Sequence, residues 1–232
     1  MSTLNQAISD LRQGKFILVF DDDKRENETD FFIASEFLTA SSIRTLRQDG
    51  GGLIFLMISS EIGKSFQLPF LSDLFIHAES EFPVLSQLIA DDIPYDSKSS
   101  FSIYINHRET FTGITDEDRC LTMKRFAELT KQLSSKKNVD NIKKLGDEFR
   151  SPGHVPICIA SEKPLTTRFG HTELAVSILK MAGLNPVASG CEIMGDNGKS
   201  LSKSKARQYA KDHDLCFLEG KEIIEAWNKW SQ

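Results

Sequence analysis

Phe16-Ile17-Leu18-Val19-Phe20, then Asp21-Asp22-Asp23-Lys24-Arg25-Glu26-Asn27-Glu28-Thr29-Asp30, then Phe31-Phe32-Ile33-Ala34: two apolar runs enclose ten residues, eight of them charged. A short, unbroken apolar run between polar stretches is the pattern of a buried strand. The pair therefore predicts two core strands joined by an acidic connection. Upstream, Leu4, Ile8 and Leu11 recur at helical spacing and Gly14 ends the pattern. Downstream, residues 42–48 suit a short helix, Gly50-Gly51-Gly52 a turn, and Leu53 to Ile58 another buried strand.

Ser59 to Lys98 contains Pro69, Pro83 and Pro94 among polar residues and reads as an insertion of loops with little regular structure. Strand character resumes at Phe101–Ile105. Thr115 or Asp116 would cap a helix reaching about Leu133, followed by a loop at Ser134-Ser135-Lys136-Lys137. Val155–Ile159, Val187–Met194 and Leu215–Leu218 are predicted strands. Glu173–Met181 (ended by Gly183), Ser202–Asp212 and Glu222–Trp230 are predicted helices. The elements alternate without a clean βαβ period or a linker, which points to a single α+β or α/β domain with a mixed sheet.

Composition narrows the function classes. The chain has 232 residues, 40% hydrophobic and 26% charged, as an ordinary globular protein does. A formal net charge of −5 argues against binding nucleic acid over the whole surface. No apolar run approaches the roughly 18–20 residues that span a bilayer, so no membrane is expected. Met1 to Gly14 has no signal-peptide core. Cys120, Cys158, Cys191 and Cys216 are far apart with no CxxC pair, against a structural zinc site or a disulfide framework. A reducing, cytoplasmic setting is expected.

Six carboxylates fall between Asp21 and Asp30. The bland reading is a solvated loop. The functional reading notes that Glu26 and Glu28, two apart, lie on one side of extended backbone. Like charges so held favour a cation between them, and hard carboxylate oxygens suit Mg²⁺ or Mn²⁺. A second segment, Thr166-Thr167-Arg168-Phe169-Gly170-His171-Thr172-Glu173, precedes a helix whose N-terminus favours phosphate. Arg168 offers charge, Thr172 a hydroxyl and Gly170 close backbone approach, with His171 able to join Glu26 and Glu28 on a metal. The plain alternative is a helix cap beside a surface arginine. Ser151-Pro152-Gly153-His154 places an imidazole on a stiff turn, and Glu192 ends an apolar strand. Each could serve acid–base chemistry, or be merely an exposed histidine and an outward-facing carboxylate.

Together these motifs resemble the 3,4-dihydroxy-2-butanone 4-phosphate synthase family. The resemblance runs in order from about Leu4 to about Trp227. It is carried by Asp21-Asp22, Arg25-Glu26-Asn27-Glu28 and Asp30; by Thr112-Gly113-Ile114-Thr115 and Asp118-Arg119; by Arg150 to Val155; by Arg168 with Gly170-His171-Thr172-Glu173; and by Cys191-Glu192. It implies one α+β domain with a mixed β-sheet flanked by helices, spanning 1–232. It also implies a homodimer with shared active sites, and two Mg²⁺ (or Mn²⁺) per site. The implied reaction converts ribulose 5-phosphate to 3,4-dihydroxy-2-butanone 4-phosphate and formate in riboflavin biosynthesis, through enolisation, dehydration, rearrangement and loss of C4. His154 and Glu192 fall on the acid–base positions, and Glu26 and His171 on the metal positions. Arg25, Asp30, Arg168, Gly170 and Thr172 fall on substrate-binding positions, where Glu26, His171 and Glu192 would also touch substrate. Phe55 stands where many members have cysteine, Thr29 where many have glycine, and residues of about 64–98 form a variable insertion. With the chain ending at Gln232, a monofunctional synthase is expected. The rivals are a non-catalytic or differently catalytic relative with the similar YrdC-like fold, and a protein using the acidic segment as a passive ion site.

Overall fold

The computed structural model describes residues 3–133 and 138–231, so the loop expected at 134–137 lies outside the described residues. Seven strands form one mixed sheet: β1 (Ile17–Phe20), β2 (Thr29–Ala34), β3 (Phe55–Ile58), β4 (Phe101–His107), β5 (Phe149–Ile159), β6 (Val187–Glu192) and β7 (Cys216–Glu219). Their order is β4-β5-β3-β6-β2-β1-β7. β3–β5 and β1–β7 are parallel and the other pairings antiparallel.

The continuous apolar runs arise because both faces of the sheet are covered. Leu18, Phe20, Phe31, Ile33, Leu56 and Ile58 point into one buried cluster. Against it pack α2 (Ala40–Thr45), α3 (Ser60–Phe66), α5 (Asp116–Thr130) and α8 (Lys203–Asp212), through residues such as Ile43, Phe66, Phe126 and Ala206. Ile17, Val19, Phe32, Ala34, Phe55 and Met57 point the other way. They meet α1 (Thr3–Arg12), α7 (His171–Met181) and α9 (Gly220–Trp230) through Leu11, Leu174, Ile178, Ile223 and Trp227. The α+β layering with a mixed sheet is as expected. Phe55 is an ordinary member of the second cluster, 6% exposed.

The structure departs from the sequence-based expectations at four places. Residues 59–98 are not mainly loop: they contain α3, α4 (Leu71–Ala78) and a 3₁₀ turn at Pro83–Gln87. Ser59 caps α3 by accepting from the Ile62 amide, and Pro69 and Pro83 stand at element boundaries, where a missing N–H costs nothing. α6 (Asn138–Glu148) forms in a stretch left unassigned. Residues 151–154 do not precede the strand but lie within β5, as a bulge: Ile105 pairs with Val155 and Asn106 with Arg150. α2 also ends earlier than expected, continuing as a π-turn over Leu46–Gly50. All four cysteines are free. Among the described residues no helix is long and apolar enough to cross a membrane.

Candidate active site

The acidic connection is the loop of the β1–β2 hairpin. Asp21 organises it: its Oδ2 accepts from the Glu26 amide at 2.9 Å and from Arg25 Nη1 at 3.3 Å, and its Oδ1 accepts from the Glu28 amide at 3.0 Å. This buried carboxylate turns the chain so that Glu26 faces the start of α7. There Glu26 Oε2 lies 3.1 Å from His171 Nδ1 and 2.9 Å from Arg25 Nη1.

β2 and β6 are neighbours in a register that sets Asp30 opposite Glu192. His171 Nε2 is 3.6 Å from Asp30 Oδ1, and the edge of the His171 ring packs on Phe32 with centroids 6.1 Å apart. Glu192 Oε2 accepts from the Leu53 amide at 2.7 Å. The hairpin loop, the start of β2, the end of β6 and the start of α7 thus gather Glu26, Glu28, Asp30, Glu192 and His171 from four elements.

Their electrostatics are those of crowded like charges. Burial pushes the Asp30 carboxyl well above the usual range, with His171 only partly opposing. Glu28 is raised by burial and then by Glu26 and Glu192. Glu192 is raised by burial, with backbone amides opposing. Glu26 behaves oppositely: burial disfavours its charge, yet His171 and Arg25 outweigh this and hold it at about 2. Burial also disfavours charge on His171, but Asp30, Glu26 and Asp21 raise it to about 9.

Such a site suits a cation. Asp21, Glu26 and His171 each offer a ligand atom, all within 4.8 Å of one another. Asp30 Oδ1 and His171 Nε2 are buried with no hydrogen-bond partner, and a buried unsatisfied polar atom is costly unless something binds it. The donor set, carboxylate-rich with one imidazole, fits Mg²⁺ or Mn²⁺ better than a thiophilic ion. Asp21 already accepts three hydrogen bonds, which leaves it less free to bind an ion than Glu26 and His171. Glu28 stands outside that trio, although its electrostatics place it beside Glu26.

Arginines flank the acidic centre. Arg168 Nη1 is bound by Glu173, which is fully buried and also accepts from the Ser161 amide at 2.8 Å. Arg168 Nη2 reaches Asp96 at 2.7 Å, and Arg25 Nη2 reaches the same Asp96 oxygen at 2.6 Å. Tyr95 stacks beneath Arg25 at 5.0 Å. Arg25, Tyr95, Asp96 and Arg168 line a cavity of about 560 Å³ that also includes Asp21 and Phe169. Gly170 is the N-cap of α7 and uses no side-chain cap. A Cβ there would sit 2.5 Å from Arg168 Nη1 and 2.7 Å from Arg25 Nη2, so any larger residue would push the two guanidinium tips aside. Neither His171 nor Thr172 is the cap, and Arg168 is no free surface residue. Thr172 is buried in the first helical turn.

His154 lies on another part of the sheet, where β5 pairs with β4. It is exposed on the β5 bulge and held by Asn106. Beside it, Phe111 is 95% exposed and Ile114 50% exposed.

The sequence alone did not single out Asp21, Asp96 or Glu173 as functional. Asp21 and Glu173 sit inside the matched motifs, so that signal was present. Asp96 lies in the poorly patterned stretch after Pro94, and its two partners are remote in the chain.

Comparison with known proteins gives one consistent family. The model of the 3,4-dihydroxy-2-butanone 4-phosphate synthase family matches residues 5–226. The Methanothermobacter thermautotrophicus protein of that name is 44% identical over 225 residues, covering 97% of this chain and 95% of its own. The Methanosarcina mazei protein of the same name is 41% identical, covering 98% and 92%. Among solved structures, a 3,4-dihydroxy-2-butanone 4-phosphate synthase described as in complex with two magnesium ions superposes with a TM-score of 0.74. It has 22% identity, with 99% of this chain and 98% of that one covered, a likeness of fold. The Candida albicans synthase superposes at 0.71 with 25% identity, covering 97% of both chains. Matched over nearly its whole length by sequence and by fold, this chain belongs to the 3,4-dihydroxy-2-butanone 4-phosphate synthase family.

Proposed function

We propose that this protein converts ribulose 5-phosphate to 3,4-dihydroxy-2-butanone 4-phosphate and formate, as a carbon–carbon lyase of riboflavin biosynthesis in the cytoplasm. The observation that carries this reading is the convergence of a carboxylate–imidazole centre with two arginines at a helix start. One end of the site suits a cation and sugar oxygens, the other a phosphate. Two Mg²⁺ per site, or Mn²⁺ in their place, would supply positive charge to stabilise an enediolate.

The chain's own groups carry the rest. Glu26 and His171 are the principal metal ligands, with Glu28 beside them, and these groups also face the sugar. Arg25, Arg168, Gly170 and Thr172 hold the phosphate end, using the α7 N-terminus, and that remote binding positions the reacting carbons. Asp30 and Glu192, raised by burial, are poised to accept a hydroxyl hydrogen bond and, for Glu192, to exchange protons during enolisation. His154 works from the exposed bulge. Its place on the β4–β5 pair, with Asn106 as its partner, and the exposed Phe111 and Ile114 after β4 support a homodimer, in which His154 completes the partner's site.

The direct test is incubation with ribulose 5-phosphate and Mg²⁺ followed by a formate assay. Formate is expected, and EDTA should abolish it. No formate from a folded, metal-replete dimer would reject the reaction.

Asp96 gives a second expectation. Its carboxylate sits between Arg25 and Arg168, where a phosphate must either displace it or share their charge. Asp96→Asn removes that competing charge and should tighten binding of inorganic phosphate by about tenfold, roughly 1.4 kcal/mol. Isothermal titration calorimetry reads this directly, and weaker binding would show instead that Asp96 holds the arginines in place for the ligand.

A further inference from the structure

Asn106 and His154 form a reciprocal pair whose chemistry can be read atom by atom. The His154 backbone N–H donates to Asn106 Oδ1 at 2.8 Å. That bond identifies the oxygen end of the amide, since an amide nitrogen cannot accept from an N–H. Asn106 Nδ2 therefore faces the ring, 3.0 Å from His154 Nδ1, and also points at the Thr112 carbonyl at 3.4 Å. An NH₂ group only donates, so Nδ1 must hold a lone pair.

The amide has little freedom to turn over. Asn106 is 4% exposed. Gly113, at φ +97°, closes over it so tightly that a Cβ would lie 2.0 Å from Nδ2. A half-turn of the amide would set NH₂ against the His154 N–H and break both bonds at once.

We propose that Asn106 is a positioning residue that fixes the ring orientation and the tautomer of His154. The neutral imidazole then carries its proton on Nε2 and meets the substrate as a hydrogen-bond donor rather than as a lone pair. The substrate side of this inference rests on His154 being an acid–base residue of the proposed reaction. In that reaction its first act is donation, which leaves the accepting role to Glu192.

Ring ¹⁵N shifts of the uniformly labelled full chain test it, at a pH where the ring is neutral, with His154 assigned by difference from His154→Gln. Wild type should show a pyridine-like Nδ1 and a pyrrole-like Nε2. Asn106→Ala should move both shifts towards those of a freely exchanging imidazole. Asn106→Asp, whose carboxylate only accepts, should move the proton to Nδ1. It should also lower kcat by on the order of 10²–10⁴-fold, the range of a positioned acid or base, with little change in KM. A pyrrole-like Nδ1 in wild type overturns the proposal, as do shifts left unchanged by Asn106→Ala. Should the variants fail to fold, the wild-type spectrum alone decides, because a freely averaging ring is also a negative result. The shifts need no turnover, so an Nε2–H tautomer without formate would reject the reaction while keeping the Asn106–His154 pairing.

Discussion

Glu26→Gln is expected to lower kcat/KM for formate release by on the order of 10³-fold, and raising Mg²⁺ should not restore it. The substitution keeps the shape and removes the charge. Glu26 is the carboxylate that His171 and Arg25 hold at about 2, so it is ionised across the working pH range while its neighbours Glu28, Asp30 and Glu192 are all raised. It is therefore the carboxylate of the centre whose charge is best held, in keeping with its proposed role as a metal ligand. A bound cation's stabilisation of developing charge amounts to several kcal/mol, and each 1.36 kcal/mol is tenfold in rate. The fold should survive, because the Glu26 side chain is 25% exposed and Asp21, not Glu26, ties the loop together. Calorimetric Mg²⁺ titration beside steady-state kinetics checks both parts. Wild-type turnover in a variant that still binds Mg²⁺ normally would remove Glu26 from the ligand set.

The second large effect is expected at Glu192. Glu192→Gln should reduce kcat by about 10²–10⁴-fold, the usual contribution of general acid–base catalysis, with KM changed far less. Glutamine can still accept from the Leu53 amide, which in the native protein is 2.7 Å from Glu192 Oε2, so position is kept and only proton exchange is lost. Burial already raises this carboxyl, moving it towards the range in which a base can take and return a proton near neutrality. Pre-steady-state measurement of substrate deuterium exchange separates the enolisation step from later ones. An unchanged kcat would favour the passive-ion-site reading of the acidic cluster over the catalytic one.

Much of the fold was legible because of how the sheet is buried. β1, β2, β3 and β6 lie inside the sheet with helices on both faces, so apolar side chains dominate β1, β3 and most of β2, and a strand is visible as a run. α1 and α7 were legible from spacing and from the glycines that follow them. The helices α3, α4 and α6 were hidden for the converse reason. α3 and α4 are only seven and eight residues long with prolines nearby that suggest loop, and α6 buries only Asn141, so it adds no run of core residues. The bulge at 151–154 was hidden too, since it is defined by what β4 places opposite.

The site divides along the same line. Glu26, Asp30, Arg168, His171, Thr172 and Glu192 could be named from motifs because each sits at the end of an element that local pattern already marks. What those motifs could not express is who neighbours whom. Asp96 bridges Arg25 and Arg168, Glu173 fixes Arg168 from inside the core, and Asn106 dictates the tautomer of His154. The Arg168–Glu173 contact spans five positions, whereas those of Asp96 and Asn106 join residues tens of positions apart. Local pattern decided where strands and helices begin and which residues carry chemistry, since side-chain spacing and caps act over a few residues. Which charge meets which was left to sheet register and helix packing, because hydrogen-bond geometry and burial exist only once distant segments share one core.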